Sequence, residues 1–141
     1  MNKKGPIIVI EDDVEDRQWL SDIFNELAVN SKIIFFQSGE SALDYLIKTP
    51  TKPFLILSDI KMQNLGGLEL REKIHTNEDL ALKCIPFLFF TTYSEQDYVI
   101  DAYSNSAQGF FIKPHSFEKL KKVIKIILDY WNECEAPEYE K

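Results

Sequence analysis

Five short apolar runs recur along the chain, separated by longer stretches with helical spacing. They are Ile7-Ile8-Val9-Ile10, Ile33-Ile34-Phe35-Phe36, Phe54-Leu55-Ile56-Leu57, Phe87-Leu88-Phe89-Phe90 and Phe110-Phe111-Ile112. None alternates apolar with polar, so each reads as a strand covered on both faces, as in a parallel sheet. Between them, Leu20, Ile23, Phe24 and Leu27 fall on one helical face, and Leu43, Leu46 and Ile47 repeat the spacing. A third helix is expected after Gly66-Gly67, carrying Leu68, Leu70 and Ile74. Val99, Ala102 and Tyr103 mark a fourth, its start signalled by Ser94 with Asp97 three residues on, a capping-box pattern. The longest stripe is the last: Leu120, Val123, Ile124, Ile127, Leu128 and Trp131, with Ser116 placed to cap that helix.

Five strand–helix units of this kind make an α/β fold, (βα)5. Short connections and right-handed crossovers predict a doubly wound, five-stranded parallel sheet in the flavodoxin-like order 2-1-3-4-5. A chain of 141 residues supplies one such domain, expected over 1–132, with an acidic C-terminal tail over 133–141. With 16 basic against 23 acidic side chains the net charge is −7, which argues against nucleic acid as a direct partner. The apolar runs are too short for a membrane span or for the core of a signal peptide. Two cysteines, Cys84 and Cys134, make no disulfide framework and fit a cytoplasmic protein, with Cys84 expected to be at least partly buried.

In a parallel α/β sheet ligands gather at the carboxyl ends of the strands. Here those ends carry Glu11-Asp12-Asp13, then Ser58-Asp59, then Thr91-Thr92, then Lys113-Pro114. Asp13, Glu15 and Asp16 are accounted for as acids favoured in the first turn of a helix. Each remaining residue has an ordinary structural explanation taken singly, but four converging positions do not. Crowded carboxylates repel and raise one another's pKa, and a hard divalent cation such as Mg²⁺ relieves them. The Lys113 ammonium and the Thr91 hydroxyl add the groups that would neutralise and orient a phosphoryl dianion. A carboxylate held there can attack phosphorus and form an acyl phosphate.

From about Ile7 to Leu128 the chain resembles the receiver domain of two-component response regulators. The segments that carry the likeness are VIEDD (9–13), LSDIKMQNLGG (57–67), PFLFFTT (86–92) and GFFIKP (109–114). The resemblance implies Asp59 as phosphoacceptor and Mg²⁺ held by Glu11, Asp12, Asp59 and the backbone carbonyl of Lys61. It implies Thr91 as switch hydroxyl, Lys113 as the phosphoryl-binding lysine, and Phe110 as the switch aromatic. Phosphoryl transfer would come from a histidine kinase or phosphotransfer protein, and the signal would leave through the fourth expected helix, strand five and the last helix. No output module follows the last helix, so the expectation is a stand-alone regulator acting on a downstream protein target, without nucleic acid or membrane, and able to pair as a phosphorylation-linked homodimer.

Three positions depart from the family's pattern. The usual Met-Pro-x-x-Asp-Gly loop is Met62-Gln63-Asn64-Leu65-Gly66-Gly67, which removes a fixed φ and a polar anchor and predicts a looser loop. Thr92 replaces a very small residue beside the switch hydroxyl. Lys61 and Tyr93 occupy the positions that tune acyl-phosphate hydrolysis, and neither can orient an attacking water, which predicts slow autodephosphorylation. Two enzyme classes fit less well. A haloacid-dehalogenase-type hydrolase needs Asp-x-Asp after strand one, where this chain has Glu11-Asp12-Asp13. A flavin carrier needs a hydroxyl- and glycine-rich loop there, and carboxylates would repel its phosphate. A receiver that is never phosphorylated and serves as a constitutive binding module is the remaining alternative.

Overall fold

The continuous apolar runs form the strands of one parallel sheet in the order β2-β1-β3-β4-β5. In the computed structural model, which describes residues 1–62, 64–92 and 95–137, these are β1 (Ile7–Ile10), β2 (Ile33–Phe36), β3 (Leu55–Ser58), β4 (Phe87–Thr91) and β5 (Gly109–Ile112). The register pairs Ile7 with both Ile33 and Leu55, and Ile10 with both Phe36 and Ser58, so the carboxyl ends of the three strands lie level. β3 begins one residue later than the apolar run suggests, because the Phe54 N–H bonds the carbonyl of Pro6 at 2.8 Å, ahead of the first paired residue. β4 continues to Thr91, which pairs with Ile112.

Helices cover both faces. On one face α1 (Val14–Glu26) and α6 (Phe117–Glu133) pack Leu20, Ile23, Phe24, Leu120, Ile124 and Ile127 against Ile7, Val9, Leu88 and Phe90. On the other, α2 (Gly39–Lys48), α3 (Gly67–Thr76), α4 (Glu78–Leu82) and α5 (Gln96–Ser104) cover Ile8, Ile10, Ile56, Phe87 and Phe89. Successive residues of a strand therefore feed opposite cores, and every one must be apolar, which is why the runs do not alternate. Phe87 and Phe89 are fully buried, and truncating either to Ala would cost about 3–5 kcal/mol.

Four helix starts are capped by a side chain: Asp13 accepts from the Asp16 N–H, Ser38 from Ser41, Asn77 from Leu80 and Ser116 from Lys119. Two expectations are corrected. Helix α4 has no counterpart in the periodicity reading: Asn77 ends α3 and caps α4, whose five residues bury only Leu80, too little for a pattern to register. Helix α5, the fourth expected helix, has Glu95 as its N-cap, without a side-chain cap bond, and Ser94, on which the expected capping box rests, lies outside the described residues. Cys84 is exposed rather than buried, because it sits in a left-handed turn after α4 with φ 51°. At the C-terminus α6 runs to Glu133, and Ala136 packs back against the α1/α6 core. No helix among the described residues is long and apolar enough to cross a membrane.

Candidate functional site

Backbone hydrogen bonding carries on one residue past the strands and positions the site. The N–H of Glu11 bonds the carbonyl of Phe36 at 2.9 Å, that of Asp59 bonds Ile10 at 3.0 Å, and that of Lys113 bonds Thr91 at 2.8 Å. Each of these residues thus leaves its strand at the same edge with its main chain still held. The Glu11 carbonyl also accepts from Arg17 Nη1 at 3.1 Å.

The side chains converge. Lys113 Nζ lies 3.0 Å from Glu11 Oε2, 3.0 Å from Asp16 Oδ2 and 3.0 Å from Asp59 Oδ2. Glu11, Asp59 and Lys113 are buried, whereas Asp12 faces solvent. Asp59 Oδ1 accepts from its neighbour Ile60 N–H at 2.6 Å, which sets the carboxylate plane, and Oδ2 faces the lysine. Carboxylate oxygens of Glu11, Asp12 and Asp59 all lie within 4.8 Å of one another. Three carboxylates therefore crowd one ammonium, and a fourth, that of Asp12, lies beside two of them. Burial pushes the Glu11 carboxyl up to about 9; the neighbouring Asp59 adds to this and Lys113 opposes it. Burial by itself would lower the Lys113 ammonium, but Glu11, Asp59 and Asp16 outweigh it and hold it above its usual range. The site carries more negative charge than its lysine can balance, so it takes up a proton or a cation. The clustered hard oxygens suit a divalent cation of the Mg²⁺ or Mn²⁺ kind.

Gly67 opens α3 directly behind Asp59. A Cβ there would lie 2.0 Å from the Asp59 carbonyl oxygen, so only glycine lets α3 begin this close. The loop between them is tied at both ends: the Gly67 N–H bonds the Ile60 carbonyl at 2.8 Å, and the Leu65 N–H bonds Glu40 Oε1 at 3.2 Å. Glu40 thus supplies, from α2, an anchor that the loop's own sequence lacks. Gln63 lies outside the described residues.

The other expected residues lie nearby. Thr91 is fully buried at the end of β4. Phe110 is half-buried on the adjacent strand, its ring 6.0 Å from that of Phe89. Phe89 pairs with Phe110 and Thr91 with Ile112, so Thr91 and Phe110 share the sheet face that α5 covers. Thr92 is exposed and lines a cleft of about 320 Å³ with Asp16, Trp19, Lys113 and His115. Lys61 is exposed, with Nζ 5.5 Å from the centre of the Tyr98 ring. Tyr93 lies outside the described residues. The one residue of the cluster that sequence reasoning assigned elsewhere is Asp16. Its main-chain N–H bonds the Asp13 cap as expected, but its carboxylate also reaches Lys113, 97 positions away. The signal was present in its place one turn beyond Glu11-Asp12, on a helix leaving the same strand end.

Comparison with known proteins agrees with this geometry. The family model described as the response regulator receiver domain matches residues 7–125. The chain is 31% identical over 129 residues to the probable methanogenesis regulatory protein FilR2 of Methanothrix harundinacea, covering 89% of this chain and 82% of that protein. It is 26% identical to the response regulator Rcp1 of Synechocystis, over 94% of this chain and 92% of the relative. Among solved structures, the Mn²⁺-bound form of Rcp1 superposes with a TM-score of 0.83 at 25% identity, over 96% of this chain and 99% of the other. The phosphorylated cyanobacterial phytochrome response regulator RcpA gives 0.84 at 22% identity, over 94% and 96% of the two chains.

Proposed function

The chain belongs to the response regulator receiver family, whose members are signalling domains of two-component systems, and from that premise we propose that it accepts a phosphoryl group on Asp59. The observation that carries the reading is the placement of the Asp59 carboxylate, with Oδ2 3.0 Å from Lys113 Nζ and carboxylate oxygens of Glu11, Asp12 and Asp59 grouped within 4.8 Å, where a cation would fit. An Asp59 carboxylate oxygen attacks the phosphorus of a phosphohistidine on a histidine kinase or phosphotransfer protein. The new O–P bond forms as the N–P bond breaks, and the histidine ring leaves neutral once it has been protonated.

Glu11, Asp12, Asp59 and the main-chain carbonyl of Lys61 would hold Mg²⁺, a reading supported by the excess carboxylate charge and by the Mn²⁺ in the Rcp1 structure. Held there, the ion would supply charge neutralisation for the transferring group. Lys113 pairs with a phosphoryl oxygen, exchanging one of its three carboxylate partners for it. Thr91 donates its hydroxyl to another, and Phe110 turns into the space that Thr91 leaves on their shared face. Two arrangements of α5, β5 and α6 result, and the covalent charge shifts the population between them. Downstream proteins, or a second copy of the chain, read that surface. Lys61 and Tyr93 offer no acid or amide to orient a hydrolytic water, so the acyl phosphate persists for minutes rather than seconds.

Intact-mass spectrometry after incubation with acetyl phosphate tests this. One phosphoryl group should be gained with Mg²⁺, none without it and none in Asp59→Asn. No adduct in the wild type, with Mg²⁺ binding confirmed, would leave a constitutive binding module. A half-life of seconds would contradict the roles of Lys61 and Tyr93.

A further inference from the structure

Helix α5 is held at its two ends by two cations that come from the segment following the acceptor. At the C-terminal end Arg71 on α3 donates from Nε to the Asn105 carbonyl and from Nη2 to the Ser106 carbonyl, both at 2.8 Å. Arg71 is buried, and its guanidinium also lies over the Phe87 ring at 5.6 Å. This end is a firm anchor: charge-assisted bonds to helix C-terminal carbonyls, made out of water. At the N-terminal end the contact is of another kind. The Lys61 ammonium sits over Tyr98, in the first turn of α5, with Lys61 exposed and Tyr98 half-buried against the same core as Phe110. A cation over an aromatic ring at a solvated site shifts an equilibrium by only about two- to fivefold.

Lys61 is two residues from Asp59. We propose that the Lys61–Tyr98 contact is a latch between the acceptor loop and α5, and that a phosphoryl dianion on Asp59 opens it. The proposal rests on Asp59 being the acceptor. A dianion offers the ammonium a stronger partner than the quadrupole of a phenol ring. Lys61 leaves the ring, the first turn of α5 is released, and Arg71 keeps the far end in place. The motion is thus a swing about the Asn105–Ser106 end, and Tyr98 is a positioning residue whose effect on Asp59 passes through Lys61. Because the latch must open for Lys61 to reach the phosphoryl group, it opposes phosphorylation by its own strength.

The experiment uses the whole chain and three variants: Tyr98→Leu, which keeps apolar bulk without a ring; Tyr98→Phe, which keeps the ring face; and Lys61→Met. The proton shifts of the Lys61 ε-methylene report the ring directly. In the unmodified wild type and in Tyr98→Phe they should be displaced upfield by the ring. In Tyr98→Leu they should move downfield from the wild-type position, and wild type should move the same way when acetyl phosphate and Mg²⁺ are added. The initial rate of phosphorylation, read by intact mass, should rise about two- to fivefold in Tyr98→Leu. It should stay unchanged in Tyr98→Phe, and in the Lys61→Met background Tyr98→Leu should have no further effect. An upfield shift that survives phosphorylation, or equal rates for Tyr98→Leu and Tyr98→Phe, would overturn the latch alone. Absence of any adduct in wild type would overturn the acceptor reading and the latch with it, whereas the shift in the unmodified protein reports the contact in either case.

Discussion

Lys113 and Arg71 are buried to the same degree, 7% and 5% exposed, at opposite ends of the sheet, and they are satisfied in opposite ways. Lys113 faces three carboxylates, and their charge raises its pKa despite burial. Arg71 makes its two side-chain hydrogen bonds to main-chain carbonyls; no ion pair to it occurs among the described residues, and burial lowers its pKa. Neutral dipoles rather than charges hold Arg71, so its bonds act as a structural tie. Lys113 sits among anions in excess, so any proton, cation or phosphoryl group that arrives redistributes its partners. The same burial gives an anchor where the neighbours are neutral and a responsive site where they are charged.

The largest effect expected from this contrast is on phosphorylation. Lys113→Met should slow phosphoryl gain from acetyl phosphate by about a hundredfold or more, the usual scale for removing one charge-stabilising group, whereas Arg71→Met should change it less than tenfold. Comparable losses in both variants, measured by intact mass, would break the comparison.

Stability should divide the other way. Arg71→Met takes its partner from the Asn105 and Ser106 carbonyls at the end of α5 and should cost about 1–3 kcal/mol in urea unfolding, with the same loss at pH 6 and pH 8 and with or without Mg²⁺. The loss in Lys113→Met should grow with pH and shrink when Mg²⁺ is added.

A third expectation concerns the wild type alone. Between the ordinary carboxyl pKa and the folded-state value of about 9, the folded protein binds more protons at Glu11 than the unfolded chain does. Stability therefore falls as pH rises through that window, by at most about 1.4 kcal/mol per pH unit from this group. Mg²⁺ bound as proposed would displace that proton, so its stabilising effect should increase from pH 6 to pH 9. Thermal melting in a chelator and in Mg²⁺ across this range checks the sign. A rise with pH in the chelator series would mean that Glu11 is ionised throughout.

The smallest effect is expected at the exposed pairs Lys48–Asp44 and Lys125–Asp129. Alanine at either lysine should shift stability by no more than about 0.5 kcal/mol, which sets the scale against which the buried cations are judged.

Much of this was legible in the residue order, for reasons that can be named. The strands were legible because both faces of each are covered, so their runs are continuously apolar, and β1 and β2 match their runs residue for residue. The acidic pair, Asp59, Thr91 and Lys113 were legible because strand ends in a parallel sheet come to one edge. Helix α4 was not, since five residues with a single buried side chain carry no period. Asp16 was not, because its first-turn position already had a sufficient local explanation in the Asp13 cap. Nor was the exposure of Cys84, which follows from a positive φ in a turn that needed no glycine.

The sequence by itself determined the class of fold, the edge at which chemistry can occur and the kinds of groups present there. Hydrophobic burial and strand alternation are local rules that each segment obeys alone. Only the tertiary structure decided how those groups share charge. That Lys113 faces three carboxylates at once, that Glu11 is buried among them, and that α5 is tied by Arg71 at one end and Lys61 at the other depends on distances between segments far apart in the chain. Electrostatic interactions vary with those distances and with the exclusion of water, and neither is written in residue order.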